Sequence, residues 1–228
     1  MKHRFFVPDR VEVGATIALH SEERHHARVL RVREGEEVEI FDSQGRNFVA
    51  RLDDPDSIAI LRESESRELR TEIRLAMSII QLEKFELVLQ KATELGVASF
   101  IPLITDRMEV RIERLRGRED RWKKIVLEAV KQSGRSKIPV IETPTEFDDA
   151  IKREGTKIIF DADTPPATEQ PSNPATLFIG PEGGFSEREL QLARASGAAL
   201  EQLGPRRLRA ETAAIVAVAL VAARSGDI

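Results

Sequence analysis

The stretch Leu177-Phe178-Ile179-Gly180-Pro181-Glu182-Gly183-Gly184-Phe185-Ser186 runs from an apolar strand into a glycine-rich turn. A helix is marked behind it: Ser186 can cap the first turn, and Glu189, three residues on, can reach back to complete a capping box. A second turn follows in Leu203-Gly204-Pro205-Arg206-Arg207-Leu208-Arg209-Ala210-Glu211-Thr212-Ala213, which closes a short strand and opens the last helix. If the two strands are parallel neighbours, both loops leave a sheet at its carboxyl edge, where ligands of open α/β sheets bind. Gly180, Gly183 and Gly184 carry no Cβ, so the backbone there can approach a ligand with its own N–H and C=O groups. Together the loops read as a cradle for a small molecule.

Strand and helix alternate from residue 72 onward, with short connections. Residues 73–80 read as strand, 83–95 as helix ended by Gly96, 99–105 as strand, 119–133 as helix stopped at Gly134, and 138–142 as strand. Thr145 is expected to cap a helix running to Glu154, with Asp148 in capping-box position; strand 157–161 and a Pro-rich loop at 164–174 follow. Such alternation predicts a parallel sheet covered by helices on both faces. The first part differs. Short β-rich runs at 11–19, 37–41, 47–52 and 57–62 are separated by turn chemistry such as Asp42-Ser43-Gln44-Gly45, with one helix at 21–31. A small β-barrel or meander over residues 1–70 is therefore expected ahead of an α/β domain over 71–228, with the charged residues 63–71 as linker.

Composition narrows the chemistry. The 228 residues include no cysteine, which removes disulfides, thiolate nucleophiles, iron–sulfur clusters and Cys-based zinc sites together. All four histidines (His3, His20, His25, His26) precede residue 27, so no His-rich metal site is expected beside the glycine loops. Residues 1–10 hold no apolar signal core, and the apolar run 213–223 is too short to span a bilayer, so a cytoplasmic protein without a membrane partner is expected. A net charge of −4 argues against a protein that coats nucleic acid. Its distribution says otherwise locally: residues 107–137 hold eleven Lys/Arg against five acids, and Arg24, Arg28, Arg31 and Arg33 form a second cluster. Either cluster is also compatible with a solvated helix face. No glycine-rich turn follows the strand at 73–80 and no GK[ST] occurs, so neither a dinucleotide-binding fold nor a phosphate loop is indicated.

The two loops resemble the signature loops of SPOUT-type, S-adenosylmethionine-dependent RNA methyltransferases, and most closely those of the RsmE family, which methylates N3 of a uridine in 16S ribosomal RNA. Phe5-Phe6-Val7, His25-His26-Ala27-Arg28-Val29-Leu30-Arg31, Lys91-Ala92-Thr93-Glu94-Leu95-Gly96-Val97 and Gln132-Ser133-Gly134-Arg135 also fall where that family carries similar residues. Arg207 departs from the family, which usually has an apolar residue there. The resemblance implies a PUA-like RNA-binding barrel, a C-terminal trefoil knot, a homodimer, and the assembled small ribosomal subunit as substrate.

On that footing S-adenosylmethionine is expected against Leu177, Ile179, Gly180, Pro181, Glu182, Gly183, Gly184, Leu203, Gly204, Leu208, Arg209, Glu211 and Thr212, with Leu203 and Leu208 as apolar walls. Glu182 and Glu211 have a second reading, as acids favoured at helix N-termini. Uracil N3 is a weak acid, so the transfer needs a base or a group that stabilises the developing anion. Arg209 is the first candidate for the second task and Arg135 the other, because a guanidinium keeps its charge and offers several donors. N3 is hidden in base pairs, so the target must be unpaired or flipped out, and a separate RNA-gripping domain would serve. Arg4, Arg24, His25, His26, Arg28 and Arg31 are the residues expected to hold RNA. A surface salt bridge for Glu94 and a core position for Trp122 are the plainer readings of those residues. Two other functions fit the same loops: methylation of a ribose 2′-hydroxyl or another base, and non-catalytic RNA binding in ribosome assembly.

Overall fold

The computed structural model describes residues 3–162 and 172–228. Most of the Pro-rich segment expected to lack secondary structure lies outside them. The chain forms two compact units: the first takes residues up to Glu68 and, in addition, Val130–Ile138, and the second takes the remainder. The first unit thus includes a piece of chain that the sequence pattern leaves inside the α/β region.

In the first unit β1 (Arg4–Val7), β2 (Thr16–Ala18), β3 (Glu37–Asp42), β4 (Asn47–Asp54) and β5 (Ser57–Ser64) form a five-stranded sheet in the order β1-β3-β4-β5-β2. Strands β3, β4 and β5 are the expected antiparallel meander, whereas β1 adds in parallel to β3. No ladder joins β1 to β2 among the described residues, so the expected barrel is not closed by hydrogen bonds. Alternation sends Val38, Ile40, Phe48, Ala50, Ile58 and Ile60 into one core with Phe5 and Val7. At the β3–β4 turn Asp42 accepts from the backbone N–H groups of Gln44 and Arg46 and pairs with the Arg46 guanidinium. Helix α1 (Ser21–Val29) lies between β2 and β3 in sequence.

The second unit holds β6 (Ile73–Ser78), α2 (Leu82–Glu94), β7 (Ser99–Ile104), a 3₁₀ turn (Ile112–Leu115), and most of α3 (Glu119–Ser133). Then come β8 (Val140–Ile141), β9 (Thr145–Glu146), α4 (Phe147–Ala150), β10 (Thr156–Phe160), β11 (Ala175–Ile179), α5 (Glu187–Ala195), β12 (Ala199–Glu201) and α6 (Ala210–Arg224). Every ladder in this sheet is parallel, in the order β12-β10-β11-β6-β7-β8, with β9 also on β7. Strand β11 is buried throughout and feeds two cores. Leu177 and Ile179 pack with Phe85, Trp122 and the α6 residues Ala214, Ala217 and Val218, while Phe178 packs with Phe147, Phe185 and Ala193. Period-two alternation puts those sets on opposite faces, as a doubly covered parallel sheet requires.

One helix departs from expectation. Thr145 caps nothing: it pairs with Leu103 on β7, and α4 starts at Phe147 and ends at Ala150 instead of Glu154. The sheet claims Thr145 first, and backbone pairing outcompetes a local side-chain cap.

Candidate functional site

The two signature loops do leave the same edge of the sheet, but their strands are not neighbours: β10 lies between β11 and β12, parallel to both. Three carboxyl ends therefore converge. The middle one carries Asp161, which the sequence reading passed over; its N–H bonds to the Glu201 carbonyl at 3.0 Å, and its carboxylate lies beside Gly184. An acid ending the apolar run Ile158-Ile159-Phe160 was the available signal.

The first loop folds back on itself. Gly184 donates to the Pro181 carbonyl at 2.9 Å and sits at φ +68°, a conformation that only glycine adopts freely. A Cβ on Gly180 would stand 3.2 Å from the Gly184 carbonyl carbon and from the Phe185 nitrogen. The absence of side chains at these two positions thus makes the cradle. Leu177 and Ile179 are fully enclosed in the core, so only their backbone groups are available to a ligand, and Pro181 is buried while Glu182 and Gly183 are exposed. The expected capping box is present: Ser186 Oγ accepts from Glu189 N, and Glu189 Oε2 accepts from Ser186 N at 2.7 Å. Glu182 is paired with Lys84 at 3.3 Å, and Arg107 donates to the Gly183 carbonyl at 2.8 Å. Neither cation was a sequence candidate, since each lies more than 70 residues away from its partner.

The second loop is more open. Leu203 and Leu208 are half-buried, Gly204 and Thr212 are exposed, and Arg209 is the exposed N-cap residue of α6, where its side chain makes no capping bond. Glu211 follows in the first helical turn and is 9% exposed, with Oε2 left without a hydrogen-bond partner among the described residues. A buried carboxylate oxygen with no donor is costly unless a cationic or donor group completes it. An S-adenosylmethionine molecule fits this donor set: backbone groups bared by glycine, two leucine walls, and an acid for its positive charge.

Several expected residues are placed elsewhere. Arg135 belongs to the first unit, is 3% exposed, and sends Nε and Nη2 to Glu68 at 3.0 and 2.6 Å. Burial pushes the Glu68 carboxyl up, but the bonds and charge of Arg135, with the N–H groups of Lys137 and Ser136, outweigh it and hold the group below its usual range. These donors are committed, so Arg135 is corrected from a catalytic candidate to a structural ion pair. Arg4 is corrected likewise. It is buried, donates to Asn47 Oδ1, lies 4.9 Å over the Phe41 ring, and burial lowers its pKa to about 10.

Arg24 and Arg28 share Asp56, at 3.7 and 3.3 Å, leaving His25 and Arg31 exposed and His26 edge-on to Phe5. Arg31 is the one non-glycine residue at positive φ (56°) among the described residues, in a position where helix ends usually place glycine. Glu94 is in a surface pair with Lys91, and Trp122 is a core residue 5.1 Å from the Phe85 ring. Among the described residues no group of three acids or histidines is placed to hold a metal, and no helix is long and apolar enough to cross a membrane.

Comparison with known proteins meets this geometry at the level of the whole chain. The RNA methyltransferase domain family matches residues 67–222, and the RNA methyltransferase PUA domain matches residues 19–61. The ribosomal RNA small subunit methyltransferase E of Aquifex aeolicus is 32% identical over 228 residues, covering 96% of this chain and 98% of that protein. The crystal structure of the Neisseria gonorrhoeae ribosomal RNA small subunit methyltransferase E bound to S-adenosyl methionine superimposes with a TM-score of 0.87 at 33% identity, over 96% and 95% of the two chains. A putative methyltransferase from Legionella pneumophila, in complex with bound cofactor SAM, gives 0.85 at 34% identity over 98% of each chain. The chain therefore belongs to the RNA methyltransferase family whose named members are the ribosomal RNA small subunit methyltransferases E.

Proposed function

We propose that this protein transfers a methyl group from S-adenosylmethionine to N3 of a uridine in 16S ribosomal RNA, acting on the assembled small subunit. The observation that carries the reading is the glycine cradle of residues 180–184 facing the carboxyl edge beside an exposed arginine loop, in a chain similar throughout its length to a cofactor-bound relative. When bound, the cofactor supplies an electrophilic methyl group on a sulfonium. Backbone groups of residues 177–184 and 203–208 hold its adenine, Leu203 and Leu208 wall it, and Glu211 answers its positive charge. As N3 releases its proton to bulk water, Arg209 donates to the uracil oxygens and stabilises the anion that takes the methyl group, which lowers the barrier where charge develops. His25, Arg28 and Arg31 on the first unit contact the RNA backbone.

Two further parts belong to this reading. After β12 at the edge of the sheet the chain returns to set α6 against β6, β11 and α2, a path that supports a C-terminal trefoil knot. Val216 is exposed on α6, beside half-buried Ile215, Ala219 and Leu220, which supports a homodimer built on that helix. The protein works in the cytoplasm, where its substrate is assembled.

The test is transfer of labelled methyl to deproteinised 16S RNA and to small subunits from cells lacking the protein. Label on the subunits, and little on naked RNA, is expected. No transfer to either, with no cofactor binding by calorimetry, contradicts the proposal.

A further inference from the structure

We infer that Arg188, held between Asp106 and Asp148, is a positioning residue that fixes the first glycine loop in its cofactor-binding shape; the inference rests on the cofactor reading of that loop. The three residues come from three elements: Asp106 follows β7, Asp148 lies in α4, and Arg188 stands in the first turn of α5. Arg188 Nε and Nη2 donate to the two Asp106 oxygens at 3.1 and 2.9 Å, while Nη1 donates to both Asp148 oxygens at 2.8 and 2.9 Å. Only a planar guanidinium can serve two carboxylates in this forked way.

The same segment reaches the loop by other routes. Ser186 Oγ donates to Asp106 Oδ2, Asp106 N donates to Glu189 Oε1 at 3.0 Å, and Glu189 Oε2 accepts from Ser186 N. Arg107, next in sequence, donates to the Gly183 carbonyl, and its Cβ and Cδ lie 3.6 Å from where a Gly183 Cβ would stand. Residues 106 and 107 therefore grip the glycine turn from inside and from its exit. The position of Arg188 points the same way. A cation in the first turn of a helix opposes the helix dipole, so α5 gains nothing from it locally. Its partners account for it: hydrogen bonds from Arg188 and then Ser186 hold the Asp106 carboxyl below its usual range.

Arg188, Asp106 and Asp148 are all half-exposed, and exposed pairs contribute little to global stability. The effect of the network is therefore local, on the population of loops in the binding shape. When that population drops to about one molecule in ten, the cofactor dissociation constant rises about tenfold.

The experiment compares wild type, Arg188→Met, Arg188→Lys and Arg107→Met. Cofactor affinity is read by calorimetry with S-adenosylmethionine, kinetics with small subunits, and amide exchange at residues 180–186 without cofactor. Arg188→Met is expected to raise the cofactor Kd and KM about tenfold, to speed exchange in the loop, and to leave melting temperature, saturated kcat and the RNA KM unchanged. Arg188→Lys falls between, and Arg107→Met repeats the effect in smaller measure, which keeps the test open if Arg188→Met does not fold. Wild-type affinity and wild-type exchange in folded Arg188→Met and Arg107→Met overturn the inference. If wild type itself binds no cofactor, the cofactor reading fails, and the exchange measurement still decides whether the network holds the loop.

Discussion

The first loop, 180–186, is tied to its surroundings at Glu182, Gly183, Gly184 and Ser186, whereas the second, 202–209, leaves the sheet with Arg206 and Arg209 exposed to solvent. One tie on the second loop is Gln202 Nε2 to the Ala162 carbonyl at 2.9 Å. A loop already held in shape loses little freedom when a ligand arrives, and so binds it without a large ordering cost. Exposed guanidinium groups such as those of Arg206 and Arg209 suit a substrate that is large, anionic and variable in approach. On the proposed reading the first loop offers the cofactor a preformed wall, while the second shares in the cradle through Leu203 and Leu208 and presents Arg209 to the RNA.

Arg209→Ala is the sharpest way to break that division. We expect kcat to fall by about 10²–10³-fold, the scale of one lost donor to a developing anion, while calorimetry finds cofactor binding intact. A variant that keeps full turnover removes Arg209 from the chemistry. Glu211→Gln comes next. On the proposed reading its carboxylate answers the sulfonium charge, so S-adenosylmethionine should bind about tenfold more weakly, as for a lost charge-assisted bond of about 1.5 kcal/mol. S-adenosylhomocysteine, which lacks the sulfonium, should be affected less; equal losses for both ligands would assign the residue to fold stability instead.

Gly180→Ala tests the first loop from within. The added Cβ meets two backbone atoms at 3.2 Å, so the turn must shift by a few tenths of an ångström. Cofactor affinity should fall about fivefold, well below the hundredfold that a 1 Å misplacement can cost, with kcat at saturation preserved; a fall in kcat alone would blur the two loops' roles. Acid gives the smallest effect. The folded Asp106 carboxyl titrates below its unfolded value, so its contribution is complete above about pH 4 and is lost as pH falls through the folded value. The protection of first-loop amides, measured as their exchange rate against the intrinsic rate at each pH, should therefore fall on acidification below that point, and Asp106→Asn should abolish that fall.

The loops themselves were legible because their signals are local: glycines at a strand end, and Ser186 with Glu189 three residues apart. The parallel sheet was legible for a similar reason, since each buried strand is a continuous apolar run bounded by turn residues. What surrounds the loops was not. Asp106 and Arg188 are 82 residues apart, and nothing in either neighbourhood points to the other. Arg4 was named as an RNA contact; its place on β1, beside Asn47 and over Phe41, emerges only when β1 joins β3 across more than 30 residues. Arg135 misled in the same way, with its carboxylate partner 67 positions earlier. Thr145 carried a true capping pattern that a long-range ladder to β7 overrode.

The most direct test of the account is the identity of the methylated nucleoside. Small subunits from cells lacking the protein are incubated with it and labelled S-adenosylmethionine, and the RNA is digested and resolved by mass spectrometry. Label in 3-methyluridine is the predicted result. Label in a 2′-O-methylated nucleoside or in another base would contradict it, leaving the cradle intact and moving the acceptor that Arg209 was assigned to activate.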